Sequence, residues 1–94
     1  MVSRMSSKII VINPKDNVAV ALQNLQAGES VDLPNGVSLR LLSDVPYSHK
    51  IALVDIPKGA SMIKYGEIIG EAKMAVRKGE WVHTHNMHIR DVNE

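Results

Sequence analysis

Turn-forming residues recur about every ten positions along this chain, and that rhythm constrains its fold more than any other feature. Pro14-Lys15-Asp16-Asn17, Gly28, Pro34-Asn35-Gly36, Pro46, Pro57-Lys58-Gly59 and Gly79 leave only short apolar stretches between them. The stretch Ile9 to Ile12 has the β-branched density of a strand, and Val18 to Leu22 fits either a strand or a short helix. In Val37 to Leu42 the apolar positions nearly alternate with Ser38 and Arg40, the pattern of a half-buried strand. Another apolar run fills Ile51 to Ile56. The expectation is a mainly β domain of short strands and tight turns.

Aligning the glycines exposes a repeat. Ala21, Leu25, Gly28 and Val31 share their spacing with Ala52, Ile56, Gly59 and Met62, and again with Ala72, Val76, Gly79 and Val82. Each unit reads as an apolar anchor, a turn whose glycine can take a positive φ, and a new strand with its apolar residue inward. The units are too few and too short for a solenoid. They are expected to be repeated β-turn-β corners of one small fold.

With 94 residues the chain has room for one domain, 1–94, whose polar start at residues 1–7 is expected to be flexible. Such a domain cannot readily enclose a deep active site alone. A formal net charge of +1 with scattered cations argues against nucleic acid and against an anionic membrane as partner. The lack of cysteine excludes disulfides, thiolate catalysis and zinc-thiolate sites. No stretch approaches the roughly 20 apolar residues of a membrane span, and no signal-peptide pattern is evident. A cytoplasmic location is expected. Phenylalanine is absent, so the core must be built from Ile, Val, Leu, Ala and Met.

Chemistry concentrates in Trp81-Val82-His83-Thr84-His85-Asn86-Met87-His88. If this segment is a strand, Trp81, His83 and His85 share one face while Val82 points to the core. Two imidazoles so placed can converge on a metal or on an anionic substrate, and can move protons near neutral pH. Two protein ligands rarely complete a metal site, so a third must come from elsewhere, His49 being the candidate within the chain. The alternative is a solvated strand end. Lys64-Tyr65-Gly66 suits carboxylate binding, or else Tyr65 caps the core with Lys64 in solvent. Asp44, Asp55, Glu67 and Glu71 show no pairing for acid/base catalysis, and no phosphate loop or nucleophile motif is present.

His49-Lys50-Ile51-Ala52-Leu53, Asp55-Ile56-Pro57-Lys58-Gly59, Ile63-Lys64-Tyr65-Gly66, Ile69-Gly70 and Gly79-Glu80-Trp81-Val82-His83-Thr84-His85-Asn86 occur together and in order. In this combination the chain resembles the N-terminal SAF-type module of altronate and galactarate dehydratases, from about Asn17 to Asn86. The resemblance implies a β-clip fold and a role in dehydrating a sugar acid with a divalent metal, iron or manganese. It also implies a large catalytic dehydratase subunit as partner, the small chain being inactive alone and contributing one wall of a shared site. A sulfolactate sulfo-lyase divides its labour in the same way.

By the resemblance, His49, His83 and His85 are the catalytic candidates, with His83 and His85 also the candidate metal ligands. Lys50, Lys64, Tyr65 and Asn86 are the candidate substrate-binding residues. Such chemistry stabilises an enediolate beside a carboxylate while a histidine protonates the departing hydroxyl. The competing reading is a non-enzymatic β-clip module that binds carbohydrate or protein. Neither reading settles whether the chain self-associates.

Overall fold

The computed structural model describes residues 4–5, 8–11, 13–33 and 36–89. All its regular elements are strands: β1 (Arg4–Met5), β2 (Ile9–Val11), β3 (Val18–Ala21), β4 (Ser30–Asp32), β5 (Ser38–Arg40), β6 (Lys50–Ala52), β7 (Ser61–Lys64), β8 (Glu67–Ala72), β9 (Trp81–Val82) and β10 (Met87–Ile89). The mainly β expectation holds, and the ambiguous segment after Asn17 is strand. Arg4 and Met5 form β1, paired antiparallel with β2; the rest of residues 1–7, the start expected to be flexible, lies outside the described residues. No helix among the described residues is long and apolar enough to cross a membrane.

A five-stranded sheet in the order β1-β2-β3-β6-β9 runs through the middle, flanked by the hairpin β4-β5 and the three-stranded sheet β10-β8-β7. Successive side chains on a strand point to opposite faces, and the central strands use this to serve two separate cores. Ala19, Ala21 and Ile51 join Ile9, Leu25, Val31, Leu39, Leu41 and Val45 in one cluster. Val18, Ala52 and Val82 join Ile56, Met62, Ala72, Val76 and Met87 in the other. Both clusters are aliphatic, as the absence of phenylalanine requires.

The repeat is real and has a further member. Leu41, Val45, Ser48 and Ile51 form a fourth unit, hidden because Ser48 replaces the glycine while keeping the positive φ of 67°. The units pair two by two. Leu25 bridges Val45 and Ile56 bridges Val76. Gly28 N donates to Leu41 O and Ser48 N to Ala21 O; Gly59 N donates to Ala72 O and Gly79 N to Ala52 O. Side chains repeat the pattern, Asn24 Oδ1 accepting from Tyr47 N and Asp55 Oδ1 from Lys78 N. The second half therefore reproduces the first at a constant offset of 31 residues, as from Ala21 to Ala52 and from Ser48 to Gly79.

That offset also maps the β6-β9 pairing onto itself. Lys50 opposite Val82 becomes Trp81 opposite Ile51, which is the second pair of the same ladder. A local two-fold axis thus passes between β6 and β9.

Candidate functional site

The site forms on this axis, with unlike residues contributed from its two sides. Ser48 in the left-handed conformation turns the chain so that His49 and Lys50 enter β6. Across the ladder Trp81 opens β9, its backbone N–H donating to Ser43 Oγ at 2.9 Å. The Trp81 indole Nε1–H donates to His49 Nδ1 at 3.0 Å. His83 lies nearly parallel to the indole, with centroids 5.6 Å apart and planes at 10°. His83 is also 4.6 Å from the His49 ring, and His85 is 4.9 Å from Trp81. One indole therefore holds three imidazoles in a single cluster.

The reason His83 and His85 share a side is not the expected one. β9 ends at Val82, and residues 83–86 form a turn rather than a continued strand. Asn86 enforces the turn: its Oδ1 accepts from His83 N at 2.9 Å and its Nδ2 donates to Trp81 O at 2.8 Å. Asn86 N also donates to His83 O. Lys73 clamps the outside, Nζ donating to Thr84 O and its own backbone N–H to Asn86 O. At 2 % exposure, Asn86 spends its amide on the backbone. The Asn86 side chain, expected to bind substrate, is here the buckle of the loop that presents the histidines.

Cations that are scattered along the sequence converge in space. The Lys50 ammonium is held below the usual lysine range, chiefly by burial and then by Lys64 nearby. His83 is likewise pushed below the ordinary imidazole value, first by burial and then by the positive potential of His49, His85 and Lys50. No carboxylate is among the groups that move either one. Lys50 and His83 thus each lie in a local positive potential, which suits an anionic ligand.

Lys64 joins this group through Lys50, and Tyr65 through Lys64, whose Nζ lies 4.8 Å from the Tyr65 ring centroid. Tyr65 is 44 % exposed, which rules out the expectation that it caps the core. Its positive φ of 56° and that of Gly66 make the tight β7-β8 turn. Glu67 and Glu71 lie on β8, whereas Asp44 and Asp55 accept from backbone N–H groups of turns. Among the described residues no group of three or more His, Cys, Asp or Glu could hold a metal ion. His83 and His85 thus do not constitute a metal site by themselves, and His49 offers its Nδ1 to an indole N–H.

Trp81 is the member of the site that sequence reasoning did not select. Its spacing from His83 placed it on the right side, but its bond to His49 depends on the register of β6 against β9.

Comparison with known proteins places the chain in a family. Residues 7–90 match the family model described as the altronate/galactarate dehydratase SAF domain. The chain is 48 % identical over 77 residues to altronate dehydratase from Escherichia coli, covering 82 % of this chain and 15 % of that enzyme. It is 37 % identical over 73 residues to the Escherichia coli galactarate dehydratase (L-threo-forming), covering 78 % of this chain and 14 % of that enzyme. The chain thus spans about 15 % of the altronate dehydratase it matches. A relative of comparable length is (2R)-sulfolactate sulfo-lyase subunit alpha from Chromohalobacter salexigens, 29 % identical over 89 residues, covering 88 % of this chain and 95 % of that subunit. With a match that spans nearly the whole chain and takes in both sides of the His49-Trp81-His83 cluster, this protein belongs to the altronate/galactarate dehydratase SAF domain family.

Proposed function

We propose that this domain forms one wall of the active site of a lyase that dehydrates a sugar acid, the remaining walls coming from a larger catalytic polypeptide. The observation that carries the reading is the cluster in which Lys50, with Lys64 near it, adjoins the packed rings of His49 and His83. A carboxylate substrate would be attracted by the lysines. The neutral imidazole of His83 is suited to accept or deliver a proton beside it.

The residues present do not fit a metal by themselves, so the domain's part in the chemistry is assigned to its own groups. Lys50 and Lys64 attract and orient the anion, Asn86 holds the turn, and the histidines handle protons. A divalent metal, iron or manganese, would draw its other ligands from the larger polypeptide, with His83 and His85 the donors offered from this side. The domain, 94 residues with the cluster at its surface, needs that partner to exclude water.

A second reading has its own support. The sulfo-lyase subunit that matches along 95 % of its length is a separate small chain, so a leaving group other than water belongs in the same test. The purified chain is mixed with a large dehydratase-type subunit, and altronate, galactarate and sulfolactate are supplied in turn. Water loss from a sugar acid supports the dehydratase reading, and sulfite release supports the sulfo-lyase. The double variant His83→Ala, His85→Ala is expected to lower turnover at least 100-fold while remaining folded by circular dichroism. Retention of full turnover by that variant would remove these histidines from the site. A chain that holds its partner with no turnover of any acid would favour the binding-module reading.

A further inference from the structure

From the contacts around Trp81 we infer that it is a positioning residue, which sets the tautomer of His49 and so decides which imidazole nitrogen carries the proton toward the substrate. The inference rests on the lyase reading for its purpose but not for its chemistry. An indole Nε1–H can only donate, so His49 Nδ1, 3.0 Å away, must accept. The proton of neutral His49 is therefore on Nε2. An imidazole is a donor at one nitrogen and an acceptor at the other, and a neighbour that occupies one of them fixes the role of the other.

Trp81 is itself held unusually firmly. Its backbone N–H donates to Ser43 Oγ, its carbonyl accepts from Asn86 Nδ2, and its ring packs against the first core cluster. His83 rests nearly parallel to the same ring, so the donor to His49 and the support for His83 are one rigid object. Asn86 ties that object to the turn that carries His83, through Trp81 O and His83 N. The arrangement holds His49 as a donor at Nε2 with its ring 4.6 Å from that of His83. Of the polar bonds of Trp81 only the one to His49 Nδ1 belongs to the side chain, and it is the one that Trp81→Phe removes.

Long-range proton-nitrogen correlation spectra of the isotopically labelled full chain, recorded near pH 8 where imidazoles are neutral, read the tautomer directly. In the wild type, His49 should show a proton on Nε2 and an unprotonated, hydrogen-bonded Nδ1. Trp81→Phe keeps an aromatic ring against His83 and removes the donor. It should shift His49 Nδ1 and introduce a population protonated there. A wild-type His49 protonated at Nδ1, or His49 nitrogen shifts unchanged in Trp81→Phe, would overturn the inference.

If Trp81→Phe does not fold, His49→Leu provides the reciprocal measurement. The Trp81 indole proton should then lose its protection from solvent exchange, and retention of that protection would equally overturn the inference. In a reconstituted lyase, Trp81→Phe should cost about tenfold in kcat with little change in KM, since binding groups are untouched. An unchanged kcat would deny the positioning role. Absence of lyase activity from the wild-type complex would sink the lyase reading and leave the tautomer result standing.

Discussion

The two halves of this domain share a backbone and differ in almost everything chemical, and the differences show what built the site. At the equivalent turns the first half has Ser48-His49-Lys50 and the second has Gly79-Glu80-Trp81. Ser48 is exposed and accommodates a side chain at φ 67°. Gly79 is buried, and a Cβ there would lie 2.3 Å from Arg40 O. The hairpins diverge in the same sense. Leu39 fills the first core, whereas its counterpart Gly70 leaves space for the backbone of β10, with His88 O only 2.2 Å from where a Cβ would be. Among the described residues β10 has no equivalent in the first half. At Gly70 the second half has given up a side chain where the segment after β9 folds back over it, and that segment carries His83, His85 and Asn86; at Gly79 it has given one up to the backbone of Arg40 in the first half.

The largest expected effect is at Gly79, where the two halves meet. Gly79→Ala combines a positive φ of 91° with a collision against a backbone carbonyl and is expected to cost about 3–5 kcal/mol. Gly59→Ala has a similar φ of 86° but open space around the added carbon, and should cost about 1–2 kcal/mol. Denaturant unfolding of both variants measures the difference. Equal losses would mean that the close approach of Arg40 O to Gly79 adds nothing to the strain of a positive φ.

Next in size is Asn86→Ala. Removing a 2 %-exposed amide strands the His83 N–H and the Trp81 carbonyl, an expected loss of about 2–4 kcal/mol by the same measurement. The amide signal of His83 should lose its protection from exchange while those of the first half, such as Leu25 and Val45, keep theirs. If protection falls uniformly, Asn86 supports the whole fold rather than the added turn.

How much of this was legible in the sequence follows from which features are local. Corner spacing and apolar alternation are local, so the β architecture and core residues such as Val31, Leu39, Ile56 and Met62 could be read directly. The fourth corner was hidden because Ser48 holds a conformation usually signalled by glycine. The stretch after Val82 looked like a strand because His-Thr-His alternates, and nothing local reveals that the Asn86 side chain closes it into a turn. The likeness to a dehydratase module came from several short motifs taken together. The approach of Lys64 to Lys50, and of Trp81 to His49, depends on strand register and could not be read from spacing.

The smallest expected effect asks whether the two halves share one site or merely adjoin. His83 belongs to the second half, and of the charges that depress it after burial, on His49, His85 and Lys50, those of His49 and Lys50 belong to the first. In an NMR titration His83 should lose its proton below the ordinary imidazole value of 6.5. His49→Gln and Lys50→Met should each raise its pKa, without restoring the ordinary value, because burial is the larger cause. The sign carries over to stability. Folded His83 binds a proton less tightly than unfolded His83, so its contribution to stability is complete above pH 6.5 and declines as pH falls through the depressed value. A bound carboxylate should act in the opposite direction and raise the His83 pKa, since its charge favours the imidazolium. If neither first-half variant moves the His83 titration, the potential does not cross the β6-β9 axis and the cluster is not one electrostatic unit. If both variants move it and galactarate raises it, the two halves form a single anion-binding surface.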